Sequence, residues 1–273
     1  MDAVGRGEGA GFEPKAKGWR FIGRPGLLKA MRLPTITGLI RRRLLVNFRA
    51  DSAVVEPLLP KPFRPKLHRG RAIVGVCLIR LEEIRPLGWP RFVGVASENA
   101  AHRIAVTWTD ERGGGHEGVF IPRRDSSSLL NRLLGGRVFP GEHYSARFDV
   151  TDDGSLVALR MGSADGEVRV NVTGRTANEL PASSGFSSLA EASAYFEGGS
   201  LGYSVTRNSS RLDGLTLQTK QWRVSPLSVS EITSSFFDDR RIFPEGTIQF
   251  DHALIMRDVP HEWHKADDLD IVA

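Results

Sequence analysis

Short apolar runs recur along this chain, and turn signals separate them at close intervals. Residues 72–81, 92–97, 103–109, 118–121, 145–151, 156–161 and 167–173 each combine β-branched and aromatic residues over a strand's length. Gly113-Gly114-Gly115, Asp152-Asp153-Gly154 and Ala164-Asp165-Gly166 lie in the breaks, where a tight hairpin needs residues that tolerate positive φ. Hairpins pair their strands antiparallel, so this spacing constrains the fold to a β architecture. Residues 44–49, 215–224 and 247–256 add further strands. Helical spacing is convincing only over 52–59, 126–134 and 188–197. The last opens on a capping box, Ser188-x-x-Glu191, and stops at Gly198-Gly199. The expectation is a mainly β (α+β) chain: a single antiparallel, closed or partly closed barrel with a few surface helices. With no internal repeat and no linker, it divides into a disordered basic leader (1–18), one domain (19–265) and a tail (266–273).

Charge and cysteine content narrow the function classes. The net charge is +5, yet residues 1–49 hold eleven Lys and Arg against Asp2, Glu8 and Glu13, so the remainder is net acidic. Such an arm can touch acidic lipid or nucleic acid. No nucleic-acid motif accompanies it, which makes nucleic acid an unlikely partner and leaves a peripheral acidic-lipid contact through residues 1–49 open. No apolar run reaches the length of a membrane-spanning helix. The first 18 residues lack the apolar stretch of a secretory signal. Cys77 is the single cysteine and lies in an apolar run, which suits a buried inert thiol in a reducing, cytoplasmic setting.

The stretch G-V-F-I-P-R-R-D-S-S-S over 118–128 carries the clearest chemistry. An apolar strand is expected to stop at Pro122, with Arg123 and Arg124 next and Asp125 to Ser128 capping a helix. Two guanidiniums at the positive end of a helix dipole require a carboxylate or a bound anion for compensation. Glu98, at the end of one strand, and Arg103, at the start of the next, sit near one rim of the sheet. Glu98 is placed to offset Arg123 or Arg124.

Other patterns are weaker. Gly198-Gly199-Ser200-Leu201-Gly202 matches a nucleophile elbow, but a helix precedes it and a strand follows, the reverse of what that motif needs. Gly5 to Ala10 matches a dinucleotide fingerprint without a preceding strand. His261-Glu262-Trp263-His264 could bring two imidazoles to one face of a helical turn, without the spacing or third ligand of a zinc site. His102, His116 and His143 default to satisfied structural histidines. Neither metal nor cofactor is expected.

The segments L-V-N-F-R-A-D-x-x-V-V-E-P-L-L-P (45–60), E-N-x-x-H-R (98–103), the 118–134 stretch and the block S-S-F-F-D-D-R-R-I-F-P-E-G-T-I-Q-F-D-H-A-L-I-M-R-D-V-P-H-E-W (234–263) resemble, in that order, the uncharacterised YqjF-like family of the acetoacetate-decarboxylase-like β-barrel superfamily. The resemblance covers about residues 42–264. It implies a site at a Pro-Lys-Lys strand end, where the first lysine forms a Schiff base with a β-keto acid. Pro122 matches that proline, Arg123 stands at the nucleophile and Arg124 replaces the second lysine. Glu98 matches the site's glutamate. A guanidinium supplies no free amine for an imine.

The sequence therefore points to a barrel that binds a small anionic, partly apolar ligand, a carboxylate or keto acid, through Arg123, Arg124, Glu98 and Arg103. Whether it is an enzyme stays open. One alternative is a lyase or decarboxylase-like enzyme acting on a keto acid through Lys220 or Glu98. Another is an interaction protein that docks through its basic arm.

Overall fold

The computed structural model describes residues 35–128, 141–208 and 210–271. Its strands are β1 (Ile36–Ala50), β2 (Arg64–Pro65), β3 (Leu67–His68), β4 (Arg71–Pro86), β5 (Val95–Thr109), β6 (Gly115–Ser126), β7 (His143–Asp152), β8 (Leu156–Ser163), β9 (Arg169–Thr176), β10 (Leu201–Val205), β11 (Arg211–Thr219), β12 (Ser225–Ser234), β13 (Ile248–Lys265) and β14 (Leu269–Asp270). The five longest lie side by side in the order β13-β1-β4-β5-β6. Two routes then lead from β6 back to β13. β10 and β11 close a short circuit, and β7, β8, β9 and β12 close a longer one.

The shared strands are covered on both faces, which explains their long buried runs. In β1, Leu44, Val46 and Phe48 pack with Val157, Leu159 and Val170 in one core. Leu45, on the opposite face, joins Ile73, Cys77, Leu254 and Met256 in a second. The turns expected at 113–115, 152–154 and 164–166 connect β5 to β6, β7 to β8 and β8 to β9. Gly113, Gly154 and Gly166 take positive φ there.

Several expectations need correction. The sheet is mixed, because β6 pairs parallel with both β7 and β10. Neither follows β6 through a tight turn, and a long connection permits the parallel sense. The runs expected at 92–97 and 103–109 belong to one strand, β5, with Phe92 outside it. The polar residues of E-N-A-A-H-R read as a break, yet both faces of β5 are covered and Ser97, His102 and Arg103 are buried. The strand expected over 215–224 ends at Thr219. The tail is partly paired, since β14 adds to β11.

The helices expected at 52–59 and 188–197 are present. The first is a short helix α1 (Ser52–Val55) continued by a 3-10 turn over Glu56–Leu58. The second is α2 (Leu189–Gly198), in which Ser188 Oγ accepts from the Glu191 amide at 3.1 Å. Its end at Gly198 before β10 matches a helix stop leading into a strand, against a nucleophile elbow. The helix expected over 126–134 begins on a residue that is still β6, and residues 129–134 lie outside those described. The leader 1–18 lies outside them too.

Candidate functional site

Two β-bulges decide which side chains meet. β1 gains one residue against β4 between Ile40 and Arg42. β6 gains one against β5, with Phe120 opposite Ile104 but Arg123 opposite His102. An extra residue reverses the in–out alternation beyond it. Before the bulges, Ile40 of β1 and Val119 and Ile121 of β6 face the short circuit. After them, Arg43 and Arg124 face it, while Arg42 and Arg123 turn to the other side. Pro122 sits at the β6 bulge, where a residue without an amide hydrogen disturbs the ladder least.

Inside the short circuit is a cavity of about 430 Å³. Arg43, Arg103 and Arg124 line it together with His143. Phe196, Trp222 and Trp263 supply apolar and aromatic wall. Trp222 Nε1 donates to Ser193 Oγ at 2.9 Å, which ties the loop after β11 to α2.

The three guanidiniums share one property: each donates to an acceptor that is not a carboxylate. Arg43 Nε reaches Cys77 Sγ at 3.3 Å. Arg103 Nη2 donates to Asn47 Oδ1, with Phe196 stacked 4.8 Å from its guanidinium carbon. Arg124 Nε donates to Ser204 Oγ at 2.9 Å. Among the described residues no carboxylate pairs with any of them, and Arg43 Nη1 and Arg103 Nε are buried without a hydrogen-bond partner. Arginines on other surfaces of the same strands are treated differently. Arg42 Nη2 donates to both carboxylate oxygens of Glu98, at 2.9 and 2.8 Å. Arg49 pairs with Asp251 at 3.1 Å.

Burial pushes the Arg103 and Arg124 guanidiniums down to about 10, which leaves both protonated at neutral pH. Burial, and then the Arg124 charge, hold His143 at about 3, so its imidazole is neutral there. The cavity thus carries net positive charge: three guanidiniums enter it, while of the two acidic residues in its lining, Glu197 and Asp125, the latter is engaged by Arg123.

The structure divides the sequence candidates. Arg103 and Arg124 line the cavity. Arg123 lies behind the sheet, paired with Asp125 at 2.9 Å and Asp165 at 2.8 Å and stacked on Tyr144. Glu98 also lies behind the sheet, on Arg42 and not on Arg123 or Arg124, and burial raises its carboxyl above the usual range despite that partner. Lys220 is exposed just past β11 and does not line the cavity. His102 is fully buried with neither ring nitrogen hydrogen-bonded, so it is not a satisfied histidine. His261 and His264 fall on strand β13, where a three-residue spacing sends them to opposite faces. No cluster able to hold a metal occurs among the described residues.

Sequence reading missed Arg43 and Asn47 as site residues and set His143 aside as a structural histidine. The run Arg41-Arg42-Arg43 reads as the end of a basic arm, and only the β1 bulge separates Arg43 from its neighbours.

The model of the DUF2071 family, described as an uncharacterized conserved protein, matches residues 39–249. No curated protein matches the chain in sequence. Solved structures similar in fold include acetoacetate decarboxylase from Legionella pneumophila subsp. pneumophila str. Philadelphia 1, with TM-score 0.58, 11% identity and 92% of each chain covered. An acetoacetate decarboxylase-like enzyme from Sphingomonas wittichii RW1 aligns at TM-score 0.51 and 13% identity, over 92% of this chain and 100% of that one. The enduracididine biosynthesis enzyme MppR complexed with pyruvate aligns at 0.52 and 11%, over 89% and 92%. At such identities the likeness shows the fold alone, and it bears out the resemblance read from the sequence.

Proposed function

Starting from a chain that belongs to the DUF2071 family and shares the fold of acetoacetate decarboxylase-like enzymes, we propose that the cavity binds one small, partly apolar organic acid, a carboxylate or keto acid, within a barrel-like ring of strands. One observation carries this reading: Arg43, Arg103 and Arg124 enter one cavity with a thiol, an amide and a hydroxyl as their partners. Guanidiniums held this way keep their charge available to a ligand carboxylate, which they can grip through two parallel N–H bonds. Phe196, Trp222 and Trp263 would enclose the apolar remainder.

The reading is of binding and not of imine chemistry. Among the described residues that line the cavity there is no lysine. Lys220 is exposed outside it and Glu98 is engaged behind the sheet, so neither supports a keto-acid lyase. A free Cys77 agrees with a reducing, cytoplasmic setting. Among the described residues, no helix is long and apolar enough to cross a membrane.

Thermal unfolding in the presence of organic acids tests the proposal. Pyruvate and larger keto acids are expected to raise the midpoint, and their neutral amides are not. Equal shifts with acids and amides would contradict it.

A second reading concerns the surface, where Leu87, Trp89 and Phe92 are 54%, 59% and 87% exposed at the tip of the β4–β5 hairpin. Thr35, the first described residue, accepts from the Leu87 amide at 2.8 Å. Apolar tip and basic arm together would suit an anionic lipid surface. Co-sedimentation with phosphatidylserine vesicles, but not with phosphatidylcholine vesicles, is expected. Retention unchanged in Trp89→Ser/Phe92→Ser would remove the hairpin's part.

A further inference from the structure

A chain of buried polar contacts leads from Arg103 in the cavity through Asn47 and His252 to Asp251 and the 183–186 loop, and beyond Asn47 it has no role in the binding proposal above. Its hub is Asp251, whose side chain is 0% exposed. Oδ1 accepts from Ser184 Oγ at 2.7 Å, and Oδ2 accepts from the Gly185 amide at 2.8 Å and Arg49 Nη1 at 3.1 Å. His252 Nδ1 lies 2.5 Å from Oδ1. Since a carboxylate only accepts, Nδ1 carries the proton.

A guanidinium only donates, so Asn47 turns its oxygen to Arg103 and its Nδ2 to His252 Nε2 at 3.1 Å, which makes Nε2 the acceptor of that contact. The same amide nitrogen donates to the Leu45 carbonyl at 3.1 Å. Asn47 Oδ1 must then point the other way, where it receives Arg103 Nη2. A flipped amide would set its NH₂ against a guanidinium and its oxygen against two acceptors. Asn47 and His252 are fully buried and Arg103 nearly so, so water does not relax the constraint.

The hub also holds the 183–186 loop. Ser184 and Gly185 lead into Phe186, whose ring meets His252 edge-on at 5.1 Å. Phe196 of α2 lies 5.6 Å from the same imidazole and covers the Arg103 guanidinium. We infer that Asp251, His252 and Asn47 are positioning residues that aim Arg103 into the cavity and couple its occupancy to the 183–186 loop. This rests on the anion-binding reading. A carboxylate on Arg103 would draw on the guanidinium that Asn47 holds, and the change would pass along the chain in either direction.

The His252 Nδ1 proton, a downfield NMR resonance absent in His252→Gln, reports on the chain. Pyruvate is expected to shift it in the wild type, and Asn47→Leu is expected to keep the proton but lose the response. Arg103→Gln should displace the resonance with no ligand present. If Asn47→Leu does not fold, Asn47→Ala serves, since it too removes the contacts to both Arg103 and His252. A resonance that stays still while thermal unfolding shows pyruvate bound, or that responds equally in the Asn47 variant, would overturn the inference. Should pyruvate fail to bind, the anion reading fails, and the Arg103→Gln comparison still decides: an unmoved resonance would overturn the coupling.

Discussion

Exchanging Arg103 and Arg124 together for glutamine is expected to abolish acid binding while leaving the empty protein as stable as before, or more so. Each charge-assisted hydrogen bond is worth roughly 1.5–3 kcal/mol, or about tenfold to a hundredfold in affinity. Two lost contacts thus lower affinity by about 10² to 10⁴. Stability moves the other way because the cavity's guanidiniums have no carboxylate partner and burial opposes their charge. Removing such charges is often neutral or stabilising, by about 1 kcal/mol or more. A glutamine amide nitrogen stands where Nε stands, so at 124 it can still donate to Ser204 Oγ, and Asn47 Oδ1 is the one acceptor that loses its donor. Calorimetric titration and thermal unfolding of the same preparation read both signs. A double variant that loses affinity because it unfolds would not support the cavity's role.

The opposite outcome is expected at Asp251. Asp251→Ala would leave His252, Ser184, the Gly185 amide and Arg49 without their shared acceptor. Breaking a buried charged network from one side costs roughly 3–5 kcal/mol. For a domain of this size that is a fall of about 10 °C in the unfolding midpoint. The pH dependence has a defined sign. Burial opposes ionisation of Asp251, but its hydrogen bonds from His252, Gly185 and Ser184 prevail and hold the carboxyl at about 2. A folded value below the unfolded one contributes stability at neutral pH, here ~2 kcal/mol, that is lost as pH falls from about 4 towards 2. Denaturant titrations across that range should show a shallower acid limb in Asp251→Ala than in the wild type. Parallel limbs would mean that the carboxyl titrates normally.

Much of the fold was legible because it rests on local signals. Apolar runs and Asp-Gly or Gly-Gly turns placed most strands, and Ser188-x-x-Glu191 placed α2. Two features escaped because they are not local. The parallel pairing of β6 with β7 and β10 follows from connections that no turn signal marks. The polar stretch within β5 looked like a gap, since a sequence does not reveal that both faces of a strand are covered. At the site, P-R-R-D drew attention to the right place and to the wrong arginine first. Strict alternation from Val119 and Ile121 would have put Arg123 inside. The bulge at Pro122 puts Arg124 there and sends Arg123 to Asp125 and Asp165. The Arg42–Glu98 pair, formed between strands far apart in sequence, likewise took Glu98 out of the site.

Isothermal titration of pyruvate into the full chain, repeated with the acid that gives the largest thermal shift, tests the electropositive cavity most directly. One acid bound per chain, with affinity lost on exchanging Arg103 and Arg124 and unchanged on exchanging Lys220, is the expected result. Heat absent for every acid tried, or equal in the double arginine variant, would contradict it.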